Sequence, residues 1–189
     1  MKLTSAIIGA LLAVVGNVPY LRDVIKKRIQ PHPYTWLVWS IVSGITFFGQ
    51  VAKGAGAAAI AFGASEIFTI IIFLFSLQYG FKHIPKNDSY FLVAALLGIV
   101  PWVIFKDPTW SVIIMVTIDL VAFIPTLRKA WYTPKTESPI LYGSNVLRHS
   151  FALLALSSYN IATMLHSIVM IITNIVMTSF ILRKKTNRS

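Results

Sequence analysis

The chain has 189 residues, of which 56% are hydrophobic, and its mean hydropathy is +0.73. Only 12% of the residues are charged, about half the share usual in a soluble domain, so the lipid bilayer must be the solvent for most of the chain. The absence of cysteine excludes disulfides, thiolate metal sites and cysteine nucleophiles.

Apolar runs and turn signals alternate along the whole chain. The runs lie at about 4–20, 34–52, 55–79, 89–105, 109–127, 140–157 and 160–182. Most approach the ~20 residues that a helix needs to cross a ~30 Å hydrocarbon core. The first run resembles a signal peptide but lacks a small-x-small cleavage site, so we expect it to be retained as the first helix. The pattern predicts an all-α membrane protein with seven transmembrane helices.

The basic residues fall mainly on one side of these runs. Of the 17 Lys and Arg residues, thirteen are predicted on the same side of the membrane as the loop at 20–33, and Arg148 lies within an apolar run. The other side holds only Lys2, Lys53 and Lys106. The positive-inside rule then places the N-terminus outside and the C-terminus in the cytoplasm. The net charge of +11 is therefore a topology signal rather than a sign of nucleic-acid binding, and we expect a bacterial inner membrane.

Residues 19–33 and 125–139 repeat each other at a constant offset of 106 positions. The matched residues are Pro19, Leu21, Arg22 and Pro33 in the first copy and Pro125, Leu127, Arg128 and Pro139 in the second. A duplicated helix–basic loop–helix unit is typical of transporters built from internal repeats. We predict two parallel three-helix repeats, 1–82 and 108–189, joined by a linker helix at 83–107 that restores the orientation of the second repeat.

Both copies contain prolines at equivalent places. Pro33 and Pro139 suit the first turn of a helix, where the missing N–H has no partner in any case. Together with Pro19 and Pro125, they are candidate bend points or helix starts at a cytoplasmic gate.

Repeats of three helices with a proline-bearing turn into a basic loop resemble the SWEET and PQ-loop transporter superfamily. The residue-level similarity is confined to 18–39 and 124–145. PQ-loop families have glutamine after the first proline, whereas Tyr20 and Thr126 follow here, so the chain is more similar to the sugar-transporting branch. The resemblance implies facilitated diffusion of a sugar by alternating access, with no cofactor.

The resemblance also implies polar side chains on the third helix of each repeat that face a central substrate site. Asn174 fits that position, and Glu66 is its counterpart if two residues are inserted in the second repeat. Under the offset of 106, Trp39 corresponds to Asn145 and Ser43 to His149. These positions are candidate lining of the substrate path, with the indole stacking on a sugar ring. Trp36, one turn earlier, is better read as a membrane-interface residue.

Ionisable residues within the apolar runs are the strongest functional pointers, because each costs ~2.5–3.5 kcal/mol or more at the bilayer centre. Asp119 and Arg148 are expected at similar depths, and we predict an ion pair that either is structural or releases Arg148 to bind a polar or anionic substrate. Glu66 has no obvious partner and, with Asp119, is a candidate for proton coupling. We expect His149 either to titrate in the working range of pH or to hydrogen-bond across the bundle, and His166 to face the outer interface.

Three functions follow from these patterns. The first is a passive transporter of a small polar solute, with a sugar as the expected substrate. The second is proton-coupled transport of an amino acid or vitamin-like solute, and the third is a non-transporting scaffold or receptor. No catalytic motif or metal-ligand pattern occurs, so we expect no enzyme and no metal site. The oligomeric state stays open.

Overall fold

Seven α-helices and one short 3₁₀ turn form the fold of the computed structural model, which describes residues 1–97, 104 and 108–186. The helices are α1 (Lys2–Ile25), α2 (Pro33–Ala52), α3 (Ala58–Tyr79), α4 (Lys86–Leu97), α5 (Pro108–Tyr132), α6 (Pro139–Ala155) and α7 (Ile161–Thr186). The 3₁₀ turn, Pro134–Thr136, lies between α5 and α6. The predicted all-α fold is confirmed. Pro101 and the second half of the predicted fourth run lie outside the described residues.

Three helices meet the length and hydropathy required of a membrane span. Within the described residues these are Lys2–Ile25, Ala58–Tyr79 and Ile161–Arg183, with mean hydropathies of 1.6, 2.2 and 2.0. Each is long enough to cross the hydrocarbon core at 1.5 Å per residue. The chain thus has the features of a membrane protein with three candidate spans, and the crossing of the membrane by seven helices stays a prediction.

The helices pack in a pattern that alternates between the two halves of the chain. In the first half α3 lies against both α1 and α2, whereas the backbones of α1 and α2 stay apart and these two helices meet only through side chains such as Tyr20 and Trp36. In the second half α7 lies against both α5 and α6. Between the halves, α1 packs on α6 and α2 packs on α5, while α4 covers α5 and α2. The space enclosed by α2, α3, α5, α6 and α7 holds the site described below.

Small residues allow α1, α3 and α6 to approach closely at one end. Ala6, Ala61 and Ala152 are fully buried in one cluster there. Gly9 belongs to the same contact, because a Cβ added to it would lie 2.9 Å from the Cβ of Ala61. Close backbone approach of this kind is how helices associate in lipid, where no hydrophobic force drives them together. The small residues Ala55 and Ala58, which are fully buried in the same cluster, therefore serve packing.

The α2–α3 turn contains two glycines in the left-handed region. Gly54 and Gly56 have φ of +83° and +61°, a conformation that costs glycine no steric strain. The turn predicted at 53–54 is therefore present. The predicted third run begins at residue 55, but α3 begins only at Ala58 because the glycines hold the preceding residues in the turn.

The four repeated prolines occupy two kinds of position. Pro33 and Pro139 stand at the first helical position of α2 and α6, as predicted. Pro19 and Pro125 lie inside α1 and α5, which continue to Ile25 and Tyr132, beyond the apolar runs that predicted their ends near 20 and 127. Packing of buried side chains beyond each proline outweighs the loss of one backbone hydrogen bond.

Candidate functional site

A cavity between the two halves of the helix bundle gathers most of the polar side chains buried in the apolar segments. It encloses about 920 Å³ of space between the atoms, part of which is open solvent. Its wall contains all seven residues that the sequence predicted to line the substrate path, namely Trp39, Ser43, Glu66, Asn145, Arg148, His149 and Asn174. Asp119 lies in the same wall. Whether these residues bind a solute stays a prediction.

Glu66 meets Ser43 across the α2–α3 contact. The Ser43 hydroxyl lies within hydrogen-bonding distance of Oε2 of Glu66 and 2.5 Å from the carbonyl oxygen of Trp39. Oε1 of Glu66 is buried without a partner among the described residues. The Ser43 hydroxyl has one proton, so either it shares this proton between the two oxygens, or it donates to the Trp39 carbonyl and accepts from a protonated Glu66.

Asp119 pairs with His166, not with Arg148. Oδ2 of Asp119 lies 3.2 Å from Nε2 of His166, and both side chains are buried. The predicted Asp119–Arg148 ion pair is therefore wrong, and so is the expectation that His166 faces the outer interface. His166 lies one turn into α7, and α7 packs directly on α5, which brings its ring onto the Asp119 carboxylate.

Arg148 is held by its own helix. Its Nε donates to Oδ1 of Asn145 at 3.1 Å, and its Nη2 lies 2.6 Å from Nε2 of His149. A guanidinium only donates, so Nε2 of His149 accepts, and the proton of this neutral ring is on Nδ1, 3.4 Å from the Ser167 hydroxyl. His149 is thus a fixed neutral support for Arg148, and its ring also packs edge-on to that of His166.

Aromatic side chains line one end of the cavity. Trp36 and Trp39 pack edge to face with ring centroids 5.3 Å apart, and Trp36 also packs on Tyr20 at 5.6 Å. Trp36 is only 4% exposed, so its prediction as a membrane-interface residue is wrong. The proline turn before α2 places the first turn of this helix over α1 rather than at the lipid surface, which buries Trp36 against Tyr20.

Several polar wall residues were not found by sequence reasoning. Asn17 donates to its own helix at Ala13, 2.8 Å away. Thr46 and Gln50 lie along α2, and each has a buried polar atom without a partner among the described residues. All three were recognisable as polar positions within apolar runs, but only the packing shows that they face one space. Tyr142, also in the wall, connects the cavity to a second polar cluster.

That second cluster, the basic-end network, lies where the two basic loops meet. It consists of two buried carboxylates and their partners: Gln30, His32, Asp88, Arg128, Lys129 and Glu137. The Asp88 carboxylate lies 2.5 Å from Nη2 of Arg128 and 3.0 Å from Nε2 of His32. Desolvation by burial lowers the pKa of His32, and the Asp88 carboxylate opposes this shift only in part. The ring therefore donates to Asp88 as a neutral imidazole.

The other half of the basic-end network surrounds Lys129. Its ammonium pairs with Glu137 and donates to the carbonyl oxygen of Gln30, and the two paired side chains are 2% and 1% exposed. Glu137 accepts from the Tyr142 hydroxyl at 3.1 Å. The backbone N–H of Gln30 donates to the carbonyl of Thr136 at 3.2 Å, which joins the two loops directly. Residues 30 and 136 are equivalent under the offset of 106.

The four repeated prolines lie outside the cavity wall. Pro125 is buried, and beside it Thr126 donates to Thr35 at 3.0 Å, while Thr35 donates to the carbonyl of Ala122 at 2.8 Å. Pro19 is exposed on α1. Their predicted role as bend points at a gate is not tested by these positions.

The described residues contain no group of three His, Asp or Glu side chains that could hold a metal ion. Comparison with protein-family models, with curated proteins and with solved structures found no match to this chain. The function is therefore argued from the cavity and its surroundings alone.

Proposed function

We propose that this protein is a membrane transporter that moves a small polar solute by alternating access, with a sugar as the first candidate. The observation that carries the proposal is the cavity, whose wall combines aromatic and polar side chains from both halves of the chain. An apolar environment with a few convergent polar groups is typical of small-molecule sites. Indole rings such as Trp39 suit the apolar face of a sugar ring, and amides such as Asn145 and Asn174 suit its hydroxyls.

The helix packing supports a transporter built from two like units. α3 lies between α1 and α2 just as α7 lies between α5 and α6, and the contacts of α1 with α6 and of α2 with α5 are equivalent in the two halves. Two parallel repeats around an axis normal to the membrane would give this pattern, with the solute near the midplane between them. In this proposal α4 belongs to the linker, and the fold is the one that the resemblance to SWEET and PQ-loop transporters implies.

The basic-end network supports alternating access, because such a carrier must be sealed on one side while its cavity is reachable from the other. The Lys129 ammonium and the backbone N–H of Gln30 join the two loops directly, and the ion pairs of Asp88 and Glu137 lie beside this junction. In the proposed orientation this end is cytoplasmic. Since the chain has no cysteine, Lys26→Cys and Lys53→Cys, both at exposed positions, give single labelling sites. A membrane-impermeant maleimide added outside intact cells should label only the second, and the opposite result would contradict the orientation.

Uptake of labelled sugars by purified protein in liposomes, with and without a pH gradient, tests the proposal. Asn174→Trp places a large ring in the cavity and should abolish flux. Ile175→Trp is the matched control and should leave flux unchanged, because Ile175 is next to Asn174 in the chain but is 48% exposed on the outside of the bundle. No flux in the unmodified protein for any solute would favour a scaffold or receptor over a transporter.

A second candidate, proton-coupled transport of an amino acid or vitamin-like solute, is favoured by Glu66. Its carboxyl lies in the cavity wall, contacts Ser43 through Oε2 and has no partner for Oε1 among the described residues, and Asp119 and His166 lie in the same wall. Under this candidate a pH gradient drives accumulation, and Glu66→Gln removes the coupling while leaving passive exchange. Equal flux with and without the gradient would favour the passive carrier.

A further inference from the structure

No carboxylate of the cavity wall contacts Arg148. Asp119 lies against His166, and Glu66 contacts the Ser43 hydroxyl. His149 is neutral, because its Nε2 accepts from Arg148. No carboxylate oxygen of the described residues lies within 4.0 Å of a nitrogen of Arg148. A guanidinium that is 6% exposed thus lines the cavity without a counter-charge.

The free part of this guanidinium is suited to an anion. The contacts with Asn145 and His149 use Nε and Nη2, and Nη1 has no acceptor among the described residues. The two contacts also fix the plane of the group, so its remaining N–H donors have a set direction. A planar guanidinium with parallel donors matches the two oxygens of a carboxylate or phosphate in distance and angle. Buried charges in proteins are normally paired, and here the protein supplies no partner.

We infer that the solute bound in the cavity carries an anionic group, a carboxylate or a phosphate, that binds Arg148. This inference rests on the proposed function and specifies its substrate class, since a neutral sugar would leave the buried cation unpaired. Asn145, which accepts from Nε, is then a positioning residue for Arg148 rather than a primary ligand of the anion.

Binding to the full chain in lipid nanodiscs, followed by tryptophan fluorescence, tests the inference, because Trp36 and Trp39 lie in the cavity wall. Glucose, glucuronate and glucose 6-phosphate share one ring and differ in the anionic group. We expect at least one of the two anions to half-saturate the protein at a concentration about tenfold or more below that of glucose, as charge-assisted hydrogen bonds require. Tighter binding of glucuronate would indicate a carboxylate on the solute, and tighter binding of glucose 6-phosphate would indicate a phosphate.

Variants assign the effect to Arg148. Arg148→Gln should erase the preference for the anion over glucose, whereas Arg148→Lys should retain part of that preference and also shows that the fold tolerates a change here. Lys53→Gln removes one positive charge from an exposed loop and should have no effect.

Three results would overturn the inference. If glucose binds as tightly as both anions, the transport proposal stands and the anionic solute does not. If the preference for the anion persists in Arg148→Gln, another group binds it. If none of the three ligands binds, acetate and inorganic phosphate serve as probes without a sugar ring. Absence of an Arg148-dependent signal with these probes refutes the anion site, whereas its presence supports the site and excludes only the sugar.

Discussion

Replacing Glu137 by Gln tests whether the basic-end network stabilises the protein. The change removes one charge from a pair whose side chains are 1% and 2% exposed, and it leaves the ammonium of Lys129 buried without a counter-charge. Breaking such a pair costs about 3–5 kcal/mol, and we expect about 3 because the amide oxygen still accepts hydrogen bonds. For a chain of this length, that lowers the melting temperature by roughly 6–12 °C.

The chain provides a matched control for this change. Asp23 pairs with Arg28 at 3.7 Å in the first basic loop, but the two side chains are 34% and 67% exposed. Asp23→Asn should therefore cost at most about 1 kcal/mol. Thermal unfolding in detergent micelles, followed by tryptophan fluorescence, compares the two variants. A loss for Glu137→Gln no larger than that for Asp23→Asn would refute the reasoning. Replacing Lys129 and Glu137 together by Met and Leu should recover most of the loss.

Two further predictions concern stability. Gly9→Ala adds a methyl group 2.9 Å from the Cβ of Ala61 and should lower the free energy of unfolding by about 1–3 kcal/mol. Gly49→Ala, whose new Cβ has nothing within 4 Å, should raise it by about 0.5–1 kcal/mol, because alanine is favoured over glycine inside a helix. Melting temperatures of the two variants that shift in the same direction would contradict this. Burial lowers the folded-state pKa of His32 below the ordinary histidine value of about 6.5, so the unfolded chain binds the proton more readily and stability should fall as the pH drops below about 6.5. A plot of melting temperature against pH should flatten in His32→Gln, and an unchanged slope in that variant would assign the effect to another group.

Much of the fold follows from the sequence because its signals are local. Apolar runs of about twenty residues predict helices, and prolines such as Pro33 and Pro139 mark helix starts because their φ is fixed and they lack an N–H. Helix ends are harder to predict. α1 continues past Pro19 because Tyr20 and Val24 are buried by packing with other helices, which a window of sequence does not contain.

The site was predictable in composition but not in pairing. The internal offset relates Trp39 to Asn145 and Ser43 to His149, and all four side chains lie in one wall. The partner of Asp119 depends on which helices touch. α5 packs on α7 in the described structure, so His166 on α7, and not Arg148 on α6, contacts Asp119. The basic loops appear in the sequence only as topology signals, because the burial of Lys129 depends on its contact with Gln30, 99 residues away in the chain.

The packing of α1 on α6 has a consequence for biosynthesis. A nascent chain leaves the ribosome from its N-terminus, so α1 enters the bilayer long before α6 is translated. Until then the small-residue face around Gly9 and Ala6 can be covered only by α3 and lipid. α5, α6 and α7 supply a large part of the cavity wall, so the cavity assembles only at the end of synthesis. A chain truncated before α6 would therefore retain its early helices while leaving the partner surface of α1 open to quality-control proteases.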